Sequence, residues 1–165
     1  MGLFDFFKKK SEPQSMHTPI DENQLAFIQD STANAERLIE GFNDRLDNKL
    51  DYSEQSLSTL DELLENFADF AEQMDDEMKS DLIAQAGSYI FEVARRNYGG
   101  KYYWYDEMNQ PIFVTGQPQF EISLLAFEKV KQRIENGKED NIPFFFQGYS
   151  ERVKQARQGD KALIA

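Results

Sequence analysis

The sequence predicts one α+β domain: N-terminal helices, a three-stranded antiparallel meander, then two C-terminal helices. Three observations lead there. Apolar residues recur at threes and fours from Leu25 to Ala94, the spacing of a buried helix face. Between Lys101 and Leu124 the spacing falls to two, with turn-forming residues between short runs. After Leu125 the helical spacing returns. A chain of 165 residues suits a single core. Its 40% hydrophobic and 13% aromatic content is too rich for a disordered acidic tail.

Met1–Lys10 (MGLFDFFKKK) sets Leu3, Phe4, Phe6 and Phe7 beside three lysines. A secretory signal needs the basic end first and a longer apolar run. N-myristoylation wants Ser or Thr where Phe6 stands. The segment reads as a short amphipathic peptide, with contact to an anionic membrane surface as an alternative use. Residues 11–19 (SEPQSMHTP) read as a linker. It holds His17, the only histidine, where nothing fixes the ring. The domain is expected over 20–157.

The first helix is predicted from about Asp21 to Leu46, with Leu25, Ile28, Ala35, Leu38, Ile39, Phe42 and Leu46 on one stripe. Asp51-Tyr52-Ser53 breaks the pattern, and Ser53 or Ser56 is the expected N-cap of the next helix. Leu57, Leu60, Leu64, Phe67, Ala71, Met74 and Met78 then step by 3, 4, 3, 4, 3, 4. Leu63 and Phe70 widen that stripe, so one helix on the core is expected through Met78, with a coiled-coil seam as the alternative. A third helix, about Ser80–Tyr98, starts on a Ser80 cap and ends at Gly99-Gly100.

Lys101–Asp106 (KYYWYD), Ile112–Thr115 (IFVT) and Gln119–Leu124 read as the three strands. Alternation puts Tyr102 and Trp104 on one face and Tyr103 and Tyr105 on the other. The fourth helix, about Leu125–Glu135, stops at Asn136-Gly137. Asn141 caps a fifth, with Pro143 in its first turn. Residues 158–165 are expected to be a loose tail.

Charge and composition then restrict function. Thirty acids against 18 bases give a net charge of −12, which argues against direct nucleic-acid binding through phosphates. The excess is local: residues 1–10 carry +2, residues 11–80 carry −14, and residues 81–165 are neutral. With no cysteine and one histidine, disulfides, thiolate metal sites, Cys nucleophiles and His-based triads are excluded. Asp75-Asp76-Glu77 lacks the spaced ligands of a calcium loop. No catalytic residue, metal or cofactor is predicted, and the protein is not expected to be an enzyme.

Two groups remain. The acids Asp61, Glu62, Glu65, Asp69 and Glu72 line the polar side of the second helix, nearly free of offsetting bases. With the aromatics Tyr103, Trp104 and Tyr105 they form the candidate partner-binding set. Glu92, Arg95 and Arg96 fall at helical spacings of three and four. They read as an intrahelical ion pair, or alternatively as the rim of a ligand pocket beside Gly99-Gly100.

Three stretches also carry a resemblance: LDYSEQSLSTLDELL (Leu50–Leu64), GSYIFEVARRNYGGKYYW (Gly87–Trp104) and FEKVKQRIENGKEDNIPFFF (Phe127–Phe146). In this order they resemble a widespread family of small, uncharacterised bacterial α+β proteins, whose middle motif is similar to G-x-Y-x-G-E-V-x-R-R-x-x-G-G-x-W. Here Phe91 stands at the motif's inner glycine, and Tyr103 adds one residue before Trp104. The resemblance implies a cytoplasmic α+β domain and no particular activity. Small acidic bacterial proteins of this kind also resemble toxin-immunity proteins. The functional expectation is therefore an interaction module, an acidic immunity-type inhibitor of a basic effector or toxin. A small-ligand binder or enzyme at Glu92/Arg95/Arg96 and a peripheral membrane-associated structural protein are the alternatives.

Overall fold

The computed structural model of the protein describes residues 22–165. The peptide 1–10, the linker 11–19 with His17, and Asp21 lie outside the described residues. The fold is α+β. Helix α1 (Glu22–Phe42) runs into a 3-10 turn (Asn43–Leu46), followed by α2 (Ser56–Ala68), a second 3-10 turn (Ala71–Gln73) and α3 (Asp76–Tyr98). Strands β1 (Lys101–Tyr105), β2 (Gln110–Thr115) and β3 (Glu121–Leu124) follow, then α4 (Ala126–Asn136), α5 (Ile142–Gln155) and β4 (Lys161–Ile164).

The meander is present, but the sheet has four strands in the order β1-β2-β3-β4. The expected loose tail is the fourth strand. It lies parallel to β3, with Ile122 opposite Ala162 and Leu124 opposite Ile164. Parallel neighbours need a long crossover, and α4 with α5 supplies it. Gly159 N donates to Gln119 O at 2.7 Å and Leu125 N to Ile164 O at 2.9 Å, closing both ends of the ladder. Lys161–Ile164 (KALI) runs three apolar residues together without alternation or a β-branched cluster, so nothing local marks it as a strand.

The helix expected through Met78 is interrupted. Helix α2 ends at Ala68, and α3 begins on Asp75, whose carboxylate accepts from Met78 N at 2.8 Å. Asp76 and Glu77 occupy the first turn, where the dipole favours acids. Asp75 is thus the cap expected of Ser80, and no continuous heptad seam exists. The caps read at Asn141 and Gly99 are present, whereas the N-cap position of α2 is Gln55, without a side-chain cap bond, and the expected Ser53 acts from two residues before it. Ser53 Oγ accepts from Ser56 N at 3.2 Å, Asn141 Oδ1 accepts from Phe144 N at 2.9 Å, and Gly99 takes φ +75° after α3.

Helix α3 is the centre of the molecule, packing on α1 on one side and on α4 on another. Its Phe91, at the position where the resembled motif has glycine, is fully buried. The ring meets Tyr102, Phe113 and Phe127 at centroid distances of 5.6, 6.3 and 5.7 Å. Gly87, one turn earlier, lets α4 approach: a Cβ there would lie 2.3 Å from the Phe127 ring. Gly87→Ala should therefore destabilise the fold by about 1–3 kcal/mol through overpacking, outweighing the ~1 kcal/mol that alanine contributes within a helix. Urea unfolding would check this, with Phe127→Leu in the same chain restoring much of the loss.

Candidate functional site

Glu92 sits on the α3 face turned toward α1 and β1, and its side chain is completely buried. Five donors surround its carboxylate. Arg95 Nε lies 2.7 Å from Oε2 and Arg95 Nη2 2.8 Å from Oε1. Thr32 Oγ1 of α1 donates at 3.0 Å and the Tyr102 hydroxyl of β1 at 3.2 Å. Arg96 Nη2 stands 3.5 Å away. An ionised carboxylate offers about four lone-pair positions, so these donors leave none for a ligand. Burial pushes the Glu92 carboxyl up. The hydrogen bonds and charge of Arg95, with Thr32 and Arg96, outweigh it and hold the group below the ordinary value of 4.5. Tyr102 is moved the other way: burial, reinforced by the Glu92 charge, raises its hydroxyl well above the usual range.

The two arginines reach outward from this knot. The Arg96 guanidinium lies 3.6 Å from the centre of the Tyr52 ring, a cation–π contact. The Tyr52 ring is also stacked against Tyr89 at 5.1 Å. Tyr52 has φ +63°, uncommon for a bulky residue. The turn is held by Tyr52 N donating to the Tyr89 hydroxyl at 3.0 Å and by Asn97 Nδ2 donating to Tyr52 O at 3.0 Å. The Tyr89 hydroxyl also contacts Ser56 Oγ at 2.6 Å, tying α3 to the start of α2. Glu92, Arg95 and Arg96 thus form the ion pair the spacing suggests, extended into a three-element tie. The hollow beside Gly99-Gly100, about 390 Å³ and lined also by Lys101, Gly116 and Phe120, includes none of the three.

The predicted acidic set divides. Asp61 is buried, a correction to its place on the exposed face. Its carboxylate accepts from Arg133 Nε at 2.8 Å, Arg133 Nη2 at 3.1 Å and Ile142 N at 2.9 Å. A bidentate pair of this kind joins α2 to α4 and to the first turn of α5. Glu65 is half-exposed and engaged with Lys138 at 3.1 Å. Sequence reasoning missed both, because their partners lie more than 70 residues along the chain. Glu62, Asp69 and Glu72 are exposed, and none of them is ion-paired among the described residues.

The aromatics are also divided. Tyr102 is buried and Trp104 packs partly against the core. Tyr103 and Tyr105 are half-buried, their hydroxyls donating to Gln117 at 2.8 Å and Glu107 at 2.6 Å. The outer edge of β1 is partly closed. Tyr102 N donates to Gln24 Oε1 at 2.9 Å, and Gln24 Nε2 donates back to Tyr102 O. The side-chain amide of α1 thereby stands in for a neighbouring strand, one way of protecting a sheet edge.

A feature not read from the sequence lies at the break between α2 and α3. A groove of about 300 Å³ is lined by Phe42, Arg45 and Leu46 after α1 and by Leu63, Asn66, Phe67 and Phe70. Phe42 and Phe67 meet edge to face at 5.5 Å. Phe70 is 57% exposed. Glu62 and Asp69 stand one turn either side of Asn66, so the unpaired acids flank the apolar groove. The signal in sequence was the acid run Asp75-Asp76-Glu77, which marks a helix start rather than a helix middle.

No family model, curated protein or solved structure matches the chain. No helix among the described residues is long and apolar enough to cross a membrane.

Two outcomes test the structural ties. Asp61→Ala leaves Arg133 charged and buried and should cost about 3–5 kcal/mol in urea unfolding. Glu92 titrates below its unfolded value, so the unfolded chain binds more protons as pH falls toward and below 4.5. Its stabilisation is complete above that value and is lost on acidification through the depressed folded value. Glu92→Gln should flatten the fall of stability with pH in that window, and an unchanged slope would refute the assignment.

Proposed function

We propose that the protein is an acidic protein-interaction module that binds a basic protein, the arrangement of an immunity-type inhibitor and its effector. The observation that carries this reading is the exposed, unpaired set Glu62, Asp69 and Glu72 around the exposed Phe70. An aromatic side chain left in water beside a groove is suited to anchor a partner. Acids around it steer a basic partner to the site and set orientation. Burying Asp61 and engaging Glu65 narrows the recognising acids to the outer ones. The neutral C-terminal half, by contrast, carries the sheet and closes the core.

The test starts from affinity purification of the chain at low ionic strength and identification of what co-elutes. Association of the purified pair is then followed as salt is raised. Electrostatic steering predicts that the association rate falls about tenfold or more toward physiological salt. Charge reversal at Glu62→Lys, Asp69→Lys and Glu72→Lys should slow association, while Asp106→Lys in the β1–β2 turn should leave it unchanged. A rate indifferent to salt and to these substitutions would refute the proposal.

A further inference from the structure

The geometry points to a cis-acting ligand for the groove: the chain's own N-terminal peptide, Met1–Lys10, docks between the end of α1 and α2. This deepens the reading of the acidic face as a binding surface, because the peptide then competes with an external partner for it. Three observations converge. The groove is mostly apolar, formed by Phe42, Leu46, Leu63, Phe67 and the exposed Phe70, with Arg45 and Asn66 its polar members. Its flanks carry the unpaired acids Glu62 and Asp69. The peptide offers the complement within ten residues: Leu3, Phe4, Phe6 and Phe7, then Lys8, Lys9 and Lys10. Elsewhere in the sequence no other segment joins four large apolar side chains directly to three consecutive lysines.

The chain is long enough. Helix α1 has 21 residues, which at 1.5 Å each is about 31 Å from Glu22 to the groove. Fourteen residues separate Phe7 from Glu22, and an extended chain of that length reaches about 46–50 Å. The reach exceeds the span, so tethered docking is permitted. A tether of this length gives an effective concentration on the order of 1 mM. A docking constant of about 0.1 mM would then leave the groove about nine-tenths occupied. Weak contacts suffice in cis, whereas an external partner must bind the same surface with enough affinity to displace the peptide. The lysines reach Glu62 and Asp69 only while salt is moderate, since the screening length falls to about 3 Å at 1 M.

The full chain has no cysteine, so Gly2→Cys provides a single attachment point for a nitroxide spin label. Docking predicts selective loss of amide signals from Phe42–Leu46 and Leu63–Phe70 in the paramagnetic state. The loss should be independent of protein concentration and should be relieved by 1 M salt. It should disappear when Phe70→Ala, Glu62→Lys and Asp69→Lys are combined. These three residues are exposed, so the remaining spectrum should be unchanged and serves as the folding control. Broadening that is absent, that grows with concentration, or that survives the groove substitutions would overturn the proposal. No broadening in solution together with immobilisation on phosphatidylserine vesicles would assign the peptide to a membrane surface instead and would equally overturn it. Failure of the partner reading is distinguishable: the broadening would persist in a chain that binds no basic protein. Conversely, salt-sensitive partner binding without broadening would leave that reading standing and remove this one.

Discussion

The burial of the Glu92 carboxylate is the constraint on which the arrangement of the other elements depends. A buried charge of this kind is tolerated only when its donors surround it. Here they come from three separate elements: Thr32 of α1, Arg95 and Arg96 of α3, and Tyr102 of β1. Moving α1 or β1 away removes one of these donors and leaves the Arg95 and Arg96 pair incomplete around a buried charge. The same carboxylate therefore sets how α1 crosses α3 and where the first strand begins. Arg96 then carries the constraint outward, since its guanidinium covers Tyr52 and helps hold the left-handed turn that leads into α2. A second tie, Asp61 to Arg133, does the equivalent work between α2 and α4.

These two ties decide where the acids of the second helix lie. The −14 concentrated in residues 11–80 is not spread evenly over one outer face. Asp61 is drawn inside by Arg133 and Ile142 N, and Glu65 is turned toward Lys138. Exposed acids remain both along α1 and the loop after it, at Glu36, Glu40, Asp44, Asp47 and Asp51, and at the break between α2 and α3, at Asp69, Glu72 and Asp75, where Phe70 is also exposed. A continuous helix through Met78 would have carried Phe70 and Met74 onward along one stripe. The 3-10 turn over Ala71–Gln73 instead turns Phe70 toward solvent while Met74 remains against the core. The groove thus follows from where the helix stops.

The elements readable in sequence were those whose signals are local. The α3 stop at Gly99-Gly100, the Asn141 cap and the alternation of Tyr102 with Tyr103 rest on near neighbours, and all three are present. The unread elements depend on partners far along the chain. Strand β4 exists because β3 offers an open ladder, not because Lys161–Ile164 is a strong strand former. The break after Ala68 was hidden because the 3-4 spacing passes through it without a glycine or proline. At the candidate site, Glu92 with Arg95 and Arg96 was legible as an ion pair. Its extension to Thr32 and Tyr102 was not.

By itself the sequence determined the fold class, the order of helices and the first three strands, the caps at Gly99 and Asn141, and the placing of excess acid in the N-terminal half. These follow from periodicity, turn chemistry and composition, which act over a few residues. Only the tertiary structure decided which acids are spent inside and which face water, that the last residues complete the sheet, and that a groove opens beside Phe70. Each of those outcomes is set by contact between segments distant in the chain. The burial of a charge depends on whether a guanidinium arrives beside it, and spacing along one helix carries no information about that.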